Sequence, residues 1–153
     1  MVKIRHATEE DAAAWLELRC ALWPDGSRAE HREEIAKFFA GTLSEPLAVL
    51  LAVGETGRAV GLAELSIRPS AAGCRSADVA YLEGWFVHPF VRRQGVGRSL
   101  VAAAEEWARA RGCTEFASDT QLENRIGAAA HLALGFEEVG SVHCFRKDLG
   151  AAA

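Results

Sequence analysis

Between Val79 and Leu100 the chain reads VAYLEGWFVHPFVRRQGVGRSL, and this stretch limits the possible folds more than any other. Val79 to Val87 is apolar apart from Glu83 and Gly84, a run that reads as a strand. His88-Pro89 closes it, Arg92-Arg93-Gln94 makes a basic loop, and Gly95 and Gly97 lead into an amphipathic helix. A strand, a glycine-containing loop and a helix N-terminus in that order belong to an α/β domain. They also make an anion site, because first-turn N–H groups lack partners and lie at the positive end of the helix dipole. Glycines let the backbone close around phosphate oxygens, and arginines add charge-assisted contacts. The loop is not a Walker A sequence, which needs G-x-x-x-x-G-K-[ST]. Nor is it a dinucleotide fingerprint, because Leu100 stands where the third glycine belongs. Taken alone, Arg92 to Gly97 fits a plain strand-to-helix turn with solvated arginines equally well.

The rest of the chain supplies the company that loop keeps. Val2 to His6 is expected to be a short strand. Thr8, with Asp11 three residues on, caps a helix that places Trp15, Leu18 and Leu22 on one face, and Pro24 stops it. Ser27 with Glu30 opens a second helix ending near Gly41. Leu47 to Val53 and Ala59 to Ile67 are strands joined by the turn Gly54-Glu55-Thr56-Gly57. In the helix from about Gly95, Val96, Leu100, Ala103 and Trp107 form an apolar stripe, and Glu105 and Arg109 an i,i+4 pair. Glu115 to Ser118 is a short strand, Asn124 to Leu134 a helix closed by Gly135, and Ser141 to Asp148 a final strand. The 153 residues suit one domain over 1–149, with 150–153 a fraying tail.

Net charge is −4, which gives no bulk attraction to nucleic acid or an acidic membrane. The four cysteines, Cys20, Cys74, Cys113 and Cys144, include no C-x-x-C pair. They read as reduced and mostly buried thiols of a cytoplasmic protein, without a metal site. The opening residues lack the apolar core of a signal peptide, and no run reaches transmembrane length.

Arg92-x-x-Gly95-x-Gly97 after a strand, Asn124 after the next strand, and His131-Leu132-Ala133-Leu134-Gly135-Phe136 closing the following helix together resemble the GCN5-related N-acetyltransferases. The order of elements agrees over nearly the whole chain. Trp15 to Arg19 leading to Leu22-Trp23-Pro24, Leu82-Glu83-Gly84, Ala117-Ser118-Asp119-Thr120 and Glu123-Asn124 are similar, more narrowly, to the aminoglycoside 6′-N-acetyltransferases. The resemblance implies an α/β fold with a mixed, mostly antiparallel sheet that splays at an acetyl-CoA site. It implies that Phe86, Val87, Arg92, Arg93, Gln94, Gly95, Val96, Gly97, Arg98 and Ser99 serve the coenzyme, with backbone amides on its pyrophosphate and near Val87 on the reacting oxygen. Asn124 is implied at the pantetheine end, and a homodimer with the C-terminal strands in its interface is implied as well.

A carboxylate in an apolar strand is costly unless paired, so Glu83 needs a partner or a task. The resemblance assigns it the acceptor amine, which attacks only in its neutral form and so needs a base. It places Asp119 and the weaker candidate Glu123 on cationic groups of an aminosugar, and Trp23 as a wall for a sugar ring. His131 stands where many relatives carry a tyrosine that protonates the leaving thiolate; a helix histidine satisfied by a backbone carbonyl is the plainer alternative. Three departures bear on which aminoglycosides are accepted. The loop from Pro69 has no tyrosine, Phe145 stands where an aromatic hydroxyl is frequent, and Gly140 where an acid is frequent. Acetylation of another small amine (a polyamine or a peptide N-terminus) and non-catalytic acyl-CoA binding are the competing expectations.

Overall fold

A computed structural model describes residues 1–150 of the chain. They fall into two compact units that meet between Asp119 and Thr120. The first contains β1 (Lys3–His6), α1 (Ala12–Leu22), α2 (Arg28–Ala40), β2 (Ala48–Val53), β3 (Ala59–Arg68), β4 (Val79–Val87), α3 (Val96–Ala110) and β5 (Phe116–Ser118). The second contains α4 (Arg125–Ala133).

The sheet runs β1-β2-β3-β4-β5, antiparallel except for the β4–β5 pair. It is the mixed, mostly antiparallel arrangement expected. The helix starts follow their side chains. The Thr8 N–H donates to Asp11 Oδ2 at 2.7 Å, and Arg5 grips both oxygens of that carboxylate at 2.7 and 2.9 Å. That grip, against the opposing effect of burial, holds Asp11 down to about 2. Ser27 accepts from the Glu30 N–H, and Gly41, at φ 74°, ends α2 in the left-handed conformation.

The core beneath α1 and α2 joins Trp15, Leu16, Leu18 and Ile35 to Val49, Leu51, Leu62 and Phe86. Full burial stabilises each such side chain by about 1.5–3 kcal/mol. Gly61 faces the other way, and a Cβ there would come within 3.0 Å of Leu100 on α3. The two helical layers therefore cover opposite faces of the sheet.

Three expectations need correction. On α3 the buried stripe is Val96, Leu100, Val101, Ala104 and Ala108; Ala103 and Trp107 flank it, and Trp107 meets Arg111 in a cation–π contact. The cysteines are free as expected, but Cys20, Cys74 and Cys113 are half-buried and Cys144 exposed. Residues 141–148 form no strand. A strand needs a neighbour to complete its hydrogen bonds, and among the described residues none pairs with this segment. Of the expected tail, 151–153 lie outside the described residues.

Candidate active site

The geometry of β4 begins with one extra residue. Leu82 pairs with Leu65 and Gly84 with Glu64, so Glu83 is a bulge with no residue opposite it. A bulge re-aims the side chain it carries. It also shifts the alternation, so that Tyr81 and Phe86 end on the same face, opposite Ser66 and Leu62. That face is polar around the bulge, where β3 contributes Glu64, Ser66 and Arg68.

The partner that burial demands for Glu83 is Arg68. Its Nε donates to Oε1 at 2.8 Å and its Nη2 to Oε2 at 2.7 Å. The carboxylate in turn raises the arginine's pKa, against the pull of burial. Arg68 also stacks on Tyr81, whose hydroxyl donates to Asp119 just beyond β5. Burial, and then the Asp119 charge, push the Tyr81 phenol well above its ordinary value, so it stays protonated as a donor.

Beside Glu83 opens a recess of about 180 Å³ lined by Arg19, Trp23, Glu45, Pro46, Glu64 and Glu83. Its floor is a buried ion pair. Glu64 accepts from Trp15 Nε1 at 2.9 Å and from Arg19 at 2.8 and 3.0 Å, and Arg19 also donates to Glu34. Burial weakens the arginine's hold on its proton, but the two carboxylates outweigh that and raise its pKa. Trp23 forms the wall, with the Arg19 guanidinium 5.2 Å from its ring centre and His31 stacked on it at 6.3 Å. Three carboxylates against one lining guanidinium make the recess suited to a cation.

At the other end of β4 the ladder to β5 stops at Leu82, paired with Ser118. From Glu83 to Val87 the two parallel strands are no longer joined, and the β5-facing edge of β4 is open to an extended ligand. The loop that follows curls tightly. Arg92 Nε donates to the Val87 carbonyl at 2.8 Å, and Arg93 and Gly95 both adopt positive φ, 64° and 83°. Gly95 is the N-cap of α3 and gives it no side-chain cap, so the first-turn N–H groups of Val96, Gly97 and Arg98 lead out of the helix. Gly97 allows close packing, since a Cβ there would lie 3.1 Å from Trp85.

In the second unit Asn124 caps α4, accepting from the Gly127 N–H at 2.9 Å and donating to Thr120 Oγ1 at 3.0 Å. His131 Nδ1 lies 2.6 Å from the Gly127 carbonyl, which puts the proton of the neutral ring on Nδ1 and makes Nε2 an acceptor. The ring also meets Phe136 edge-on. Glu123 is exposed.

Sequence reasoning missed Glu45, Glu64, Arg19 and Arg68. Glu64 carries the signal that singles out Glu83, a carboxylate inside an apolar strand (AVGLAELSIR). Arg68 carries none, because its pairing depends on the bulge.

The sequence profile described as the acetyltransferase (GNAT) family matches residues 12–136. An aminoglycoside N(6')-acetyltransferase type 1 of Klebsiella aerogenes is 60% identical over 146 residues, covering 95% of this chain and 96% of that protein. One of Stenotrophomonas maltophilia is 44% identical, covering 98% and 95%. Among solved structures, AAC(6')-Iy in complex with the bisubstrate analogue CoA-S-monomethyl-acetylneamine superposes with a TM-score of 0.88 at 37% identity, covering 97% of this chain and 99% of that one. The 6'-N-acetyltransferase AAC(6')-Ih from Acinetobacter baumannii does so at 0.88 and 40%, covering 98% and 100%.

Proposed function

The chain belongs to the acetyltransferase (GNAT) family, and on that premise we propose that it moves an acetyl group from acetyl-CoA to the 6′-amine of an aminoglycoside. The observation that carries this reading is Glu83, turned by its bulge into an acidic recess walled by Trp23. The recess adjoins the β4 edge left open beyond Leu82. A cationic amine and an extended thioester would meet there.

The chain fits the coenzyme. Pyrophosphate oxygens suit the curled loop at Arg92 to Gly95 and the uncapped N–H groups of Val96, Gly97 and Arg98, with Gln94 and Ser99 alongside. The open stretch through Phe86 and Val87 suits the pantetheine arm as an added strand. Acetyl-CoA supplies a thioester carbonyl that a neutral amine attacks directly, releasing the thiol.

This chain's own groups then divide the work. Glu83 receives the proton lost by the acceptor ammonium, directly or through water. Asp119 holds a further ammonium, Trp23 packs against a sugar ring, and Glu123 adds negative charge. Asn124 serves the coenzyme's pantetheine end while capping α4. His131 returns a proton to the thiolate, and given the bond from Nδ1 to Gly127 it would do so from Nε2 as an imidazolium. We read both units as one acetyltransferase domain, because the family match runs across their boundary. The active form is taken as a cytoplasmic homodimer. Among the described residues no helix is long and apolar enough to cross a membrane.

The test is a thiol-release assay with acetyl-CoA against a series of 6′-amino aminoglycosides and polyamines. Turnover of the aminoglycosides, lost in analogues with a 6′-hydroxyl, is expected. Failure of every 6′-amino compound beside good turnover of spermidine would replace the acceptor.

A further inference from the structure

The proposed reaction gives Glu83 and Asp119 separate tasks, yet the structure joins them through one guanidinium. Arg68 holds both oxygens of Glu83. The same group lies 3.6 Å from the centre of the Tyr81 ring, and the Tyr81 hydroxyl donates to Asp119. Resting on that functional reading, we propose that Arg68 is a positioning residue that fixes Glu83 and Asp119 as one cation-binding unit, and so sets affinity for the amine acceptor without touching it.

Three observations support this assignment over a stabilising or blocking role. The Arg68 and Glu83 side chains are 36% and 17% exposed, against 7% and 1% for Arg19 and Glu64. Pairs that open to water contribute little to folding. The recess is lined by Glu83 but not by Arg68, so the fork stands behind the carboxylate and leaves its front clear. The contact is bidentate, and a planar guanidinium fixes the plane of the carboxylate while each oxygen keeps a lone pair for another donor. Tyr81 extends the restraint to Asp119, because the stacked cation holds the ring and the ring's hydroxyl orients the acid. A cation entering the recess then meets a Glu83 carboxylate already turned toward it, with Asp119 held through Tyr81 for a further cationic group of the same acceptor, so less ordering is left to do.

Lysine keeps the charge but loses the fork and the stack. The variants Arg68→Lys, Tyr81→Phe and Asp119→Asn, and the double variant of Arg68→Lys with Asp119→Asn, are to be compared with the wild-type protein. Neamine is the acceptor, followed by steady-state kinetics and by calorimetric binding in the presence of coenzyme A. Arg68→Lys should lower kcat/KM for neamine by about tenfold or more, chiefly through KM, with KM for acetyl-CoA held within about twofold. Tyr81→Phe should act in the same direction and more weakly, and the double variant should lose less than the product of the two single losses.

Wild-type kinetics in Arg68→Lys, or losses that simply multiply, would overturn the proposal. So would a fall in melting temperature and coenzyme A affinity equal to the loss for neamine, which marks a structural role. Absence of neamine turnover by the wild-type protein would sink the functional reading instead. The Arg68 ratio would then be read from neamine binding, or from turnover of whichever amine the wild-type protein accepts, with the same expectations.

Discussion

Glu83 and Glu64 are both carboxylates set in apolar strands, and they meet the cost of burial in different ways. Glu64 is 1% exposed and fully engaged by Arg19 and Trp15. Removing one partner of such a pair typically costs about 3–5 kcal/mol. Glu83 is held from one side only, at the edge of the recess. Glu83→Gln preserves the shape but not the basicity, and should lower kcat/KM at neutral pH by about 10²–10⁴-fold while the thermal melt stays near that of the wild-type protein. An unchanged rate by thiol release would remove Glu83 from the chemistry. The need of Glu83 for a partner is legible in the sequence from its apolar neighbours. Which residue answers it is not, because Arg68 reaches Glu83 through a register that the bulge alone decides.

Among the elements, β4 carries both halves of the proposed site, and Gly84 shows how tightly the end of α1 is laid on it. A Cβ at Gly84 would come within 2.9 Å of Trp23 Cη2 and 3.1 Å of Leu22 Cδ2. Gly84→Ala must therefore push the Trp23 wall outward. The expected result is a severalfold rise in KM for the acceptor with little change in KM for acetyl-CoA, and a stability loss of about 1–3 kcal/mol by urea denaturation, the scale of overpacking. Equal effects on both KM values would contradict that account. Elements marked by caps, turns and uninterrupted apolar runs are legible: Ser27, Gly41, Gly54 and Gly135 all bound the segments they were expected to bound. The buried stripe of α3 was misplaced because Ala103 and Ala104 are identical side chains, and only packing against the sheet decides which is covered. The strand expected at 141–148 depends on a neighbour that its own residues do not supply.

Over the whole molecule, the order of elements and the family's loop could be read from the chain. The acidic recess could not, because it gathers residues from α1, β3, β4 and the segment before β2. The C-terminal segment raises the matter of assembly. Val142 is 74% and Phe145 92% exposed, and burying two such side chains would contribute about 3–6 kcal/mol. With the homodimer taken as the active form, sedimentation should give twice the mass of the chain at micromolar concentration, and Phe145→Asp should shift it toward the single-chain mass. A wild-type protein sedimenting as one chain would refute the dimer.

The bulge at Glu83 has one further consequence. A sheet normally rejects the removal of a residue from a central strand, because everything beyond the gap exchanges inside for outside. Here the β4 residues from Val79 to Val87 outnumber their β3 partners, Gly61 to Arg68, by one, and the surplus residue is Glu83 itself. Excising it would close Leu82 and Gly84 into an unbroken ladder with Leu65 and Glu64, leaving Tyr81, Trp85 and Phe86 on the faces they already occupy. The shortened chain should fold and keep its affinity for coenzyme A, yet acetylate nothing. In this strand the frame and the proposed reagent are separable, because the base we propose is the one residue the frame can spare.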